Sequence, residues 1–230
     1  MRIAAIQKTT LLDYPGRVAC TVFLPGCNLR CPFCHNGGLV LPEQLEESSI
    51  TEKYLMNFLD RRKGKLDGVC ITGGEPTIHH DLPELIHKIR AKGFLVKLDT
   101  NGSNPRMLQA LMEEKLLSYV AMDIKNSPRR YKVTCGGVDV LAQVQESVRL
   151  LKEGKIPYEF RTTVSHPYHD QEAMEEIGRW LQGADAYFLQ AFQDSGNLVG
   201  QGSTPLTEQE IRVLQSTACK YIPCTRIRGI

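Results

Sequence analysis

The sequence lacks any apolar stretch long enough to cross a lipid bilayer. Its longest apolar run, residues 18–24, is interrupted by Thr21, whereas a membrane-spanning helix needs about 20 apolar residues. Residues 1–16 also lack the uninterrupted apolar segment of a signal peptide. Both absences argue against a membrane protein and against secretion, and we expect the chain to work in the cytoplasm.

An excess of charge of one sign is also missing. The 28 basic and 26 acidic residues leave a net charge of +2, which gives no reason to expect a nucleic acid or a membrane surface as partner. Repeats, low-complexity tracts and long linkers are absent, and 230 residues suit one large domain better than two small ones. We predict a single domain over residues 1–230, with an N-terminal extension at residues 1–17.

The chain does contain an alternation of short apolar runs and helical patterns. Continuous β-branched or aromatic runs favour parallel strands covered on both faces, and they occur at residues 18–23, 68–72, 95–99, 119–123, 158–164 and 186–192. Helical patterns follow at residues 51–62, 82–92, 105–113, 140–152, 171–181 and 207–218. Six such units predict an α/β fold, a partial (β/α)6 TIM-like barrel with a parallel sheet. Its active site should lie where the strands end.

Eight cysteines in a chain expected to be cytoplasmic indicate metal binding or free thiols rather than disulfides. Cys27, Cys31 and Cys34 have CxxxCxxC spacing in one loop, residues 26–36, directly after the first predicted strand. Three thiolates can ligate three corners of a 4Fe–4S cluster and leave the fourth iron open to a ligand that is not protein. A zinc site with His35 as fourth ligand is the alternative, but His35 directly follows Cys34, unlike the usual zinc spacing.

The cysteine loop resembles that of the radical S-adenosylmethionine superfamily, in which an aromatic residue, here Phe33, precedes the third cysteine. The resemblance implies one 4Fe–4S cluster on Cys27, Cys31 and Cys34, with S-adenosylmethionine chelating the open iron. An electron from the cluster would cleave the sulfonium, leaving methionine and a 5′-deoxyadenosyl radical. The cofactors perform this chemistry, so no catalytic side chain beyond them is implied.

The second predicted strand ends in a pair of glycines, Gly73 and Gly74, followed by Glu75. Paired glycines permit close backbone approach, and in isolation they would indicate an ordinary turn. After the cysteine loop, the segment resembles the superfamily's GGEP motif, whose backbone and glutamate hold the methionine amino group. The third strand ends in Asp99, which suits ribose hydroxyls, and Asn101 follows it. We assign both to the cofactor site.

Charged residues at the next two strands complete the predicted cofactor site. Asp123 and Lys125 alternate by two and so point the same way; a plain ion pair is the alternative. In glycyl-radical enzyme activases, a similar lysine contacts the methionine carboxylate. Arg161 lies in a buried strand and needs a partner, either the cofactor or a structural salt bridge. The resemblance further implies a monovalent cation near Asp99, Thr100 and Asp123.

The opening residues 6–16, IQKTTLLDYPG, resemble the N-terminus of anaerobic ribonucleoside-triphosphate reductase activating proteins. The resemblance extends over the whole chain. It implies a protein substrate, the reductase, on which a backbone glycine would become a glycyl radical, and a flavodoxin- or ferredoxin-type electron donor. The sixth predicted strand lacks the histidine that pyruvate formate-lyase activase has in this region.

Three alternatives stay open. The chain could activate another glycyl-radical enzyme, of the pyruvate formate-lyase type. It could act on a small molecule, as 7-carboxy-7-deazaguanine synthase does. A non-catalytic iron–sulfur protein is the third, although an electron carrier normally closes all four iron sites with cysteine. The sequence does not indicate the oligomeric state, which glycyl-radical enzyme is the target, or the role of Cys219 and Cys224.

The remaining notable residues are expected to have structural roles. Cys20 and Cys70 lie in predicted strands and should be small buried hydrophobes. The basic stretch at residues 129–132 is predicted to be a solvated loop. His166 and His169 are predicted to be loop residues without other metal ligands nearby.

Overall fold

The structure, a computed structural model, describes residues 1–41, 50–194 and 196–230. The strands in these ranges are β1 (Arg2–Ile3), β2 (Ala5–Thr10), β3 (Ala19–Leu24), β4 (Ile50–Thr51), β5 (Gly68–Gly73), β6 (Leu95–Thr100), β7 (Tyr119–Asp123), β8 (Tyr158–Val164), β9 (Tyr187–Ala191) and β10 (Thr225–Arg228). The helices are α1 (Gly37–Val40), α2 (Glu52–Arg62), α3 (Leu82–Ala91), α4 (Pro105–Glu113), α5 (Tyr131–Thr134), α6 (Leu141–Glu153), α7 (Gln171–Trp180) and α8 (Glu208–Cys219).

The chain divides into two compact units. The first comprises Met1–Asn28, Gly38–Thr100 and Arg106–Val120. The second comprises Leu29–Gly37, Asn101–Pro105 and Ala121–Ile230.

In the first unit, β3 pairs in parallel with β5, and β5 pairs in parallel with β6. These strands are almost entirely buried, as expected for continuous apolar runs in a parallel sheet. β2 pairs with β3 in the antiparallel direction, so the predicted N-terminal extension contains a strand at the edge of the sheet. Helices α2, α3 and α4 each bury one apolar face.

In the second unit, β8 pairs in parallel with β9, and β9 pairs in parallel with β10. Large side chains fill the interior here: Phe160 on β8, Tyr187 on β9 and Met174 on α7 are all fully buried. The Tyr187 hydroxyl is buried with them and donates a hydrogen bond to Thr162 Oγ1 at 2.7 Å. Helices α6, α7 and α8 bury their apolar faces in this unit.

The predicted α/β class with mostly parallel strands is confirmed. All six predicted strands are present, and those at residues 119–123 and 158–164 have the predicted bounds. β1, β2, β4 and β10 were not predicted, because β1 and β4 have two residues each, β2 is largely exposed, and β10 has two arginines among its four residues. Among the described residues, no helix combines the length and the apolar character needed to cross a membrane.

Candidate active site

The backbone of Gly73 and Gly74 lies directly against the start of the cysteine loop. Gly74 N–H donates to Leu24 O at 2.9 Å, and Glu75 N–H donates to Gly26 O at 2.8 Å. A Cβ on Gly73 would lie 2.2 Å from Leu24 O, and one on Gly74 would lie 1.8 Å from Gly26 O. Both contacts are with backbone atoms, so these positions accept only glycine.

Glu75 is buried and is oriented by protein donors. Its Oε1 accepts hydrogen bonds from Thr77 N–H at 3.0 Å, Thr77 Oγ1 at 2.6 Å and Thr100 Oγ1 at 2.7 Å. The carboxylate therefore ties the end of β5 to the end of β6. That this side chain also holds the methionine amino group stays a prediction.

Asp99, predicted to face ribose hydroxyls, forms an ion pair with Lys97. The Lys97 side chain is only 2% exposed, and its Nζ contacts Asp99 Oδ1. The thiol of Cys70 lies 3.7 Å from both Lys97 Nζ and Asp99 Oδ1. Cys70 is buried as predicted, but it adjoins a charged pair. Sequence reasoning missed Lys97, although a lysine inside an apolar strand and two residues before Asp99 was a usable signal.

The cysteines of the loop are not joined in disulfides. Cys27 is half-buried in the first unit, whereas Cys31 is buried and Cys34 half-buried in the second. Within the described ranges, no three His, Cys, Asp or Glu side chains are grouped so as to hold one metal ion. The assignment of Cys27, Cys31 and Cys34 as cluster ligands is therefore a prediction from their spacing and thiolate chemistry. Cys219 and Cys224 donate weak hydrogen bonds to backbone carbonyls.

In the second unit, backbone hydrogen bonds hold the loop in place. Arg30 N–H donates to Cys135 O at 3.2 Å, and Val199 N–H donates to Cys34 O at 3.0 Å. A turn within the loop is closed by Cys34 N–H, which donates to Cys31 O at 3.0 Å. Cys135, which the sequence did not single out, thus lies beside a predicted cluster ligand.

Phe33 packs against two aromatic rings that sequence reasoning did not place in the site. Its ring centroid lies 5.8 Å from that of Tyr168 and 5.7 Å from that of His169. His169 is in a loop as predicted, but it is buried, with Nε2 3.0 Å from Lys125 O and Nδ1 accepting from Ser165 N–H at 3.2 Å. Burial lowers its pKa to about 4 against the opposing effect of the Lys125 and Ser165 backbone carbonyls, which lie near the ring nitrogens, so the ring is neutral at pH 7.

Asp123 is the centre of a charged group in the second unit. Its Oδ1 accepts from Arg161 Nε at 2.8 Å, and its Oδ2 accepts from Lys125 Nζ at 3.2 Å. Burial by itself would raise the pKa of Asp123, but the charges of Arg161 and Lys125 hold it well below its usual range. Lys125 and Arg161 therefore both form ion pairs with Asp123, the structural role that the sequence left open for each. Contact of these residues with the cofactor stays a prediction.

Lys125 also influences the loop thiols. Burial would lower its pKa, but Asp123, Cys31 and Cys34 raise it above the usual value. A hydrogen bond with Cys135 and burial raise the pKa of Cys31, which Lys125 partly opposes. Burial likewise raises the pKa of Cys34. Metal binding at these thiols would release protons, because only the thiolate is a good ligand.

The structure thus brings together two sets of predicted residues, one in each unit. Gly73, Gly74, Glu75 and Asp99 form the first set, and Cys31, Phe33, Cys34, Asp123, Lys125 and Arg161 form the second. Asn101 is buried, and its Oδ1 accepts from Ser103 N–H at 2.9 Å, which closes a local turn. The stretch at residues 129–132 is not simply a solvated loop, since Tyr131 begins α5, is fully buried, and accepts a hydrogen bond from Lys125 N–H.

Comparisons with known proteins reveal similarity over most of the chain. Residues 21–181 match the family model described as "Radical SAM superfamily". The chain is 32% identical over 235 residues to a protein of Methanocaldococcus jannaschii provisionally named as a glycyl-radical enzyme activating enzyme, covering 99% of this chain and 96% of that one.

Solved structures show the same fold at low sequence identity. A radical SAM methyltransferase from Sphaerobacter thermophilus superposes with a TM-score of 0.73 at 16% identity, covering 94% of this chain and 67% of that one. SuiB from Streptococcus suis, solved bound to its precursor peptide SuiA, gives a TM-score of 0.70 at 15% identity, covering 91% of this chain and 48% of SuiB. Both fit the predicted partial-barrel type of α/β fold.

Proposed function

Because this chain belongs to the radical S-adenosylmethionine superfamily, we propose that it activates anaerobic ribonucleoside-triphosphate reductase by generating a glycyl radical on it. It is an enzyme of the radical SAM type, and proteins of this family use a 4Fe–4S cluster and S-adenosylmethionine. The near full-length similarity to an activating enzyme supports a protein substrate. The opening at residues 6–16 supports the reductase as that substrate.

Cys27, Cys31 and Cys34 would ligate the cluster. The donor set fits, since three thiols within eight residues, none of them in a disulfide, supply soft ligands to three irons and leave one iron for the cofactor. When bound, the cluster supplies the electron that cleaves S-adenosylmethionine to a 5′-deoxyadenosyl radical. Phe33, packed against Tyr168 and His169, would hold the loop and keep water from it.

The charged group around Asp123 is the observation that carries the cofactor assignment. Arg161 and Lys125 are both within ion-pair distance of one carboxylate, so the three side chains together have a net charge of +1. Such an excess in a partly buried site favours an anion. Lys125 would bind the methionine carboxylate of S-adenosylmethionine, with Arg161 keeping Asp123 in place.

The other predicted site residues would bind the rest of the cofactor. The backbone of Gly73 and Gly74, with Glu75, would hold the methionine amino group. Asp99 would accept hydrogen bonds from the ribose hydroxyls, and Asn101 would support the turn that follows it.

The proposed setting follows from this chemistry. A flavodoxin- or ferredoxin-type protein would donate the electron, and the reaction would take place in the cytoplasm. We propose no nucleic acid and no membrane as partner.

Electron spin resonance on the reductase tests the proposal. Protein reconstituted anaerobically with iron and sulfide should cleave S-adenosylmethionine under dithionite and produce a glycine-centred signal on the reductase. Cys31→Ser should abolish both, whereas Cys219→Ser, the same change outside the loop, should abolish neither. Cleavage without a signal on the reductase would contradict this target, and a signal on a pyruvate formate-lyase type enzyme would favour the alternative activase. Zinc in place of iron would refute the cofactor assignment.

A further inference from the structure

The carboxylates that a bound monovalent cation would need are already neutralised by side chains of this chain. The resemblance to activases implies such a cation near Asp99, Thr100 and Asp123. Whether these residues fit a cation depends on what their side chains contact within each unit.

In the first unit, Asp99 is paired with the ammonium group of a lysine, which is covalently part of the chain and cannot dissociate as a bound ion can. The Lys97 ammonium contacts Asp99 Oδ1, and the lysine side chain is only 2% exposed. Both residues lie on β6 two positions apart, so they project from the same face of the strand. A buried ammonium needs its counter-charge, which keeps the pair together. The hydroxyl of Thr100 donates to Glu75 Oε1 at 2.7 Å and is thus also engaged.

In the second unit, both carboxylate oxygens of Asp123 accept from cations. Arg161 Nε binds Oδ1 at 2.8 Å, and Lys125 Nζ binds Oδ2 at 3.2 Å. The charge of Asp99 is therefore balanced by Lys97, and that of Asp123 is more than balanced by Arg161 and Lys125. Neither carboxylate keeps a net negative charge for a metal ion. A sodium or potassium ion beside a fixed ammonium would be repelled, because like charges interact strongly where water is partly excluded.

We propose that Lys97 replaces the monovalent cation, so that the enzyme binds S-adenosylmethionine without sodium or potassium. Lys97 acts as a positioning residue that holds Asp99 toward the ribose. This inference rests on the proposed function, since it assumes that Asp99 lies at the S-adenosylmethionine site.

Equilibrium dialysis with labelled S-adenosylmethionine tests the inference on the anaerobically reconstituted protein. In buffer whose only cation is tetramethylammonium, the wild-type Kd should change less than about twofold when sodium or potassium is added. A Kd that falls more than about twofold on addition of either ion overturns the inference and leaves the proposed function intact. No binding in any buffer overturns the proposed function, and this inference with it.

Lys97→Met removes the charge and keeps the length of the side chain. We expect its Kd in tetramethylammonium to rise about tenfold and to recover when potassium or sodium is added. A purely structural role of Lys97 would not make binding depend on the added ion. Lys92→Met, which removes a surface lysine paired with Asp60, should behave as the wild type. A folded Lys97→Met protein without this dependence refutes the inference; if the variant fails to fold, the wild-type series decides alone.

Discussion

His169 is a neutral base held inside the protein, and this makes folding stability depend on pH. Its pKa falls from the usual 6.5 to about 4 in the folded chain because of burial. As the pH falls from 6.5 toward 4, the unfolded chain takes up a proton that the folded chain does not. The stabilisation is therefore complete above pH 6.5 and is lost toward pH 4, by about 3 kcal/mol in total.

His169→Gln tests this dependence. The variant should lose much less stability than the wild type between pH 7 and about pH 4.5, as measured by urea unfolding at several pH values. His80→Gln, at a histidine outside the buried core, should keep the wild-type dependence. Parallel pH curves for wild type and His169→Gln would contradict the assignment.

Asp123 supplies the negative charge that Lys125 and Arg161 share in the second unit. Asp123→Asn keeps the size but leaves Lys125 and Arg161 without their shared counter-charge. Because the group is partly buried, we expect a loss of about 2 kcal/mol in the free energy of unfolding. Urea unfolding at pH 7 measures it.

The matched control is an exposed ion pair. Glu146→Gln removes a carboxylate that pairs with Arg149 on the surface of α6, and this solvent-screened pair should contribute much less stability than the Asp123 group. Equal losses for the two variants would show that the Asp123 group contributes no more than a solvated pair.

At the scale of elements, the backbones at the ends of β3 and β5 lie so close together that no side chain fits at Gly73 or Gly74. Gly74→Ala would place a methyl group 1.8 Å from Gly26 O, with only backbone to give way. We expect a loss of about 3 kcal/mol in the free energy of unfolding, or a failure to fold. Thermal and urea unfolding measure the change.

Gly64→Ala separates this steric effect from backbone conformation. Gly64 follows α2 with φ of +72°, and a Cβ added there would meet no other atom within 4 Å. Alanine there should cost only about 1 kcal/mol, from the left-handed conformation. A similar loss at both positions would mean that the β3 and β5 ends can separate easily.

Helix starts show what a local pattern can and cannot indicate. Thr51 caps α2 with its side chain, which accepts from Tyr54 N–H at 3.2 Å. Asp81 precedes α3, but its side chain makes no capping hydrogen bond and lies 3.3 Å from the N-terminal ammonium of Met1. The residues near position 81 were sufficient to predict where α3 begins. They could not indicate that the Asp81 carboxylate would meet the N-terminus, which is distant in the sequence.

At the scale of the whole molecule, we predict that residues 1–230 unfold as one domain. Trp180, the single tryptophan, reports on the second unit. A tryptophan introduced by Phe94→Trp, in a Trp180→Phe background, reports on the first. Urea transitions with coincident midpoints are expected from the two probes. Separate midpoints would show two independently folding units, provided that the two proteins have the same stability by circular dichroism.

Much of the fold followed from local patterns. The six predicted strands and their helices were predictable because continuous apolar runs and 3.6-residue periodicity are properties of neighbouring residues. β2 escaped prediction because its residues are mostly exposed and only its pairing with β3 makes it a strand. The cysteine spacing and the glycine pair are read directly from the sequence, because they too are properties of neighbouring residues.

The sequence by itself determined the order of strands and helices, the thiol spacing in the loop and the residues at the strand ends. Only the tertiary structure decided the partners: Arg161 reaches Asp123 across 38 positions, Glu75 reaches Thr100 across 25, and His169 reaches Lys125 across 44. It also showed that Lys97 neutralises Asp99. The physical reason is that a buried charge is stable only beside a counter-charge, and which side chains meet depends on which distant segments become neighbours.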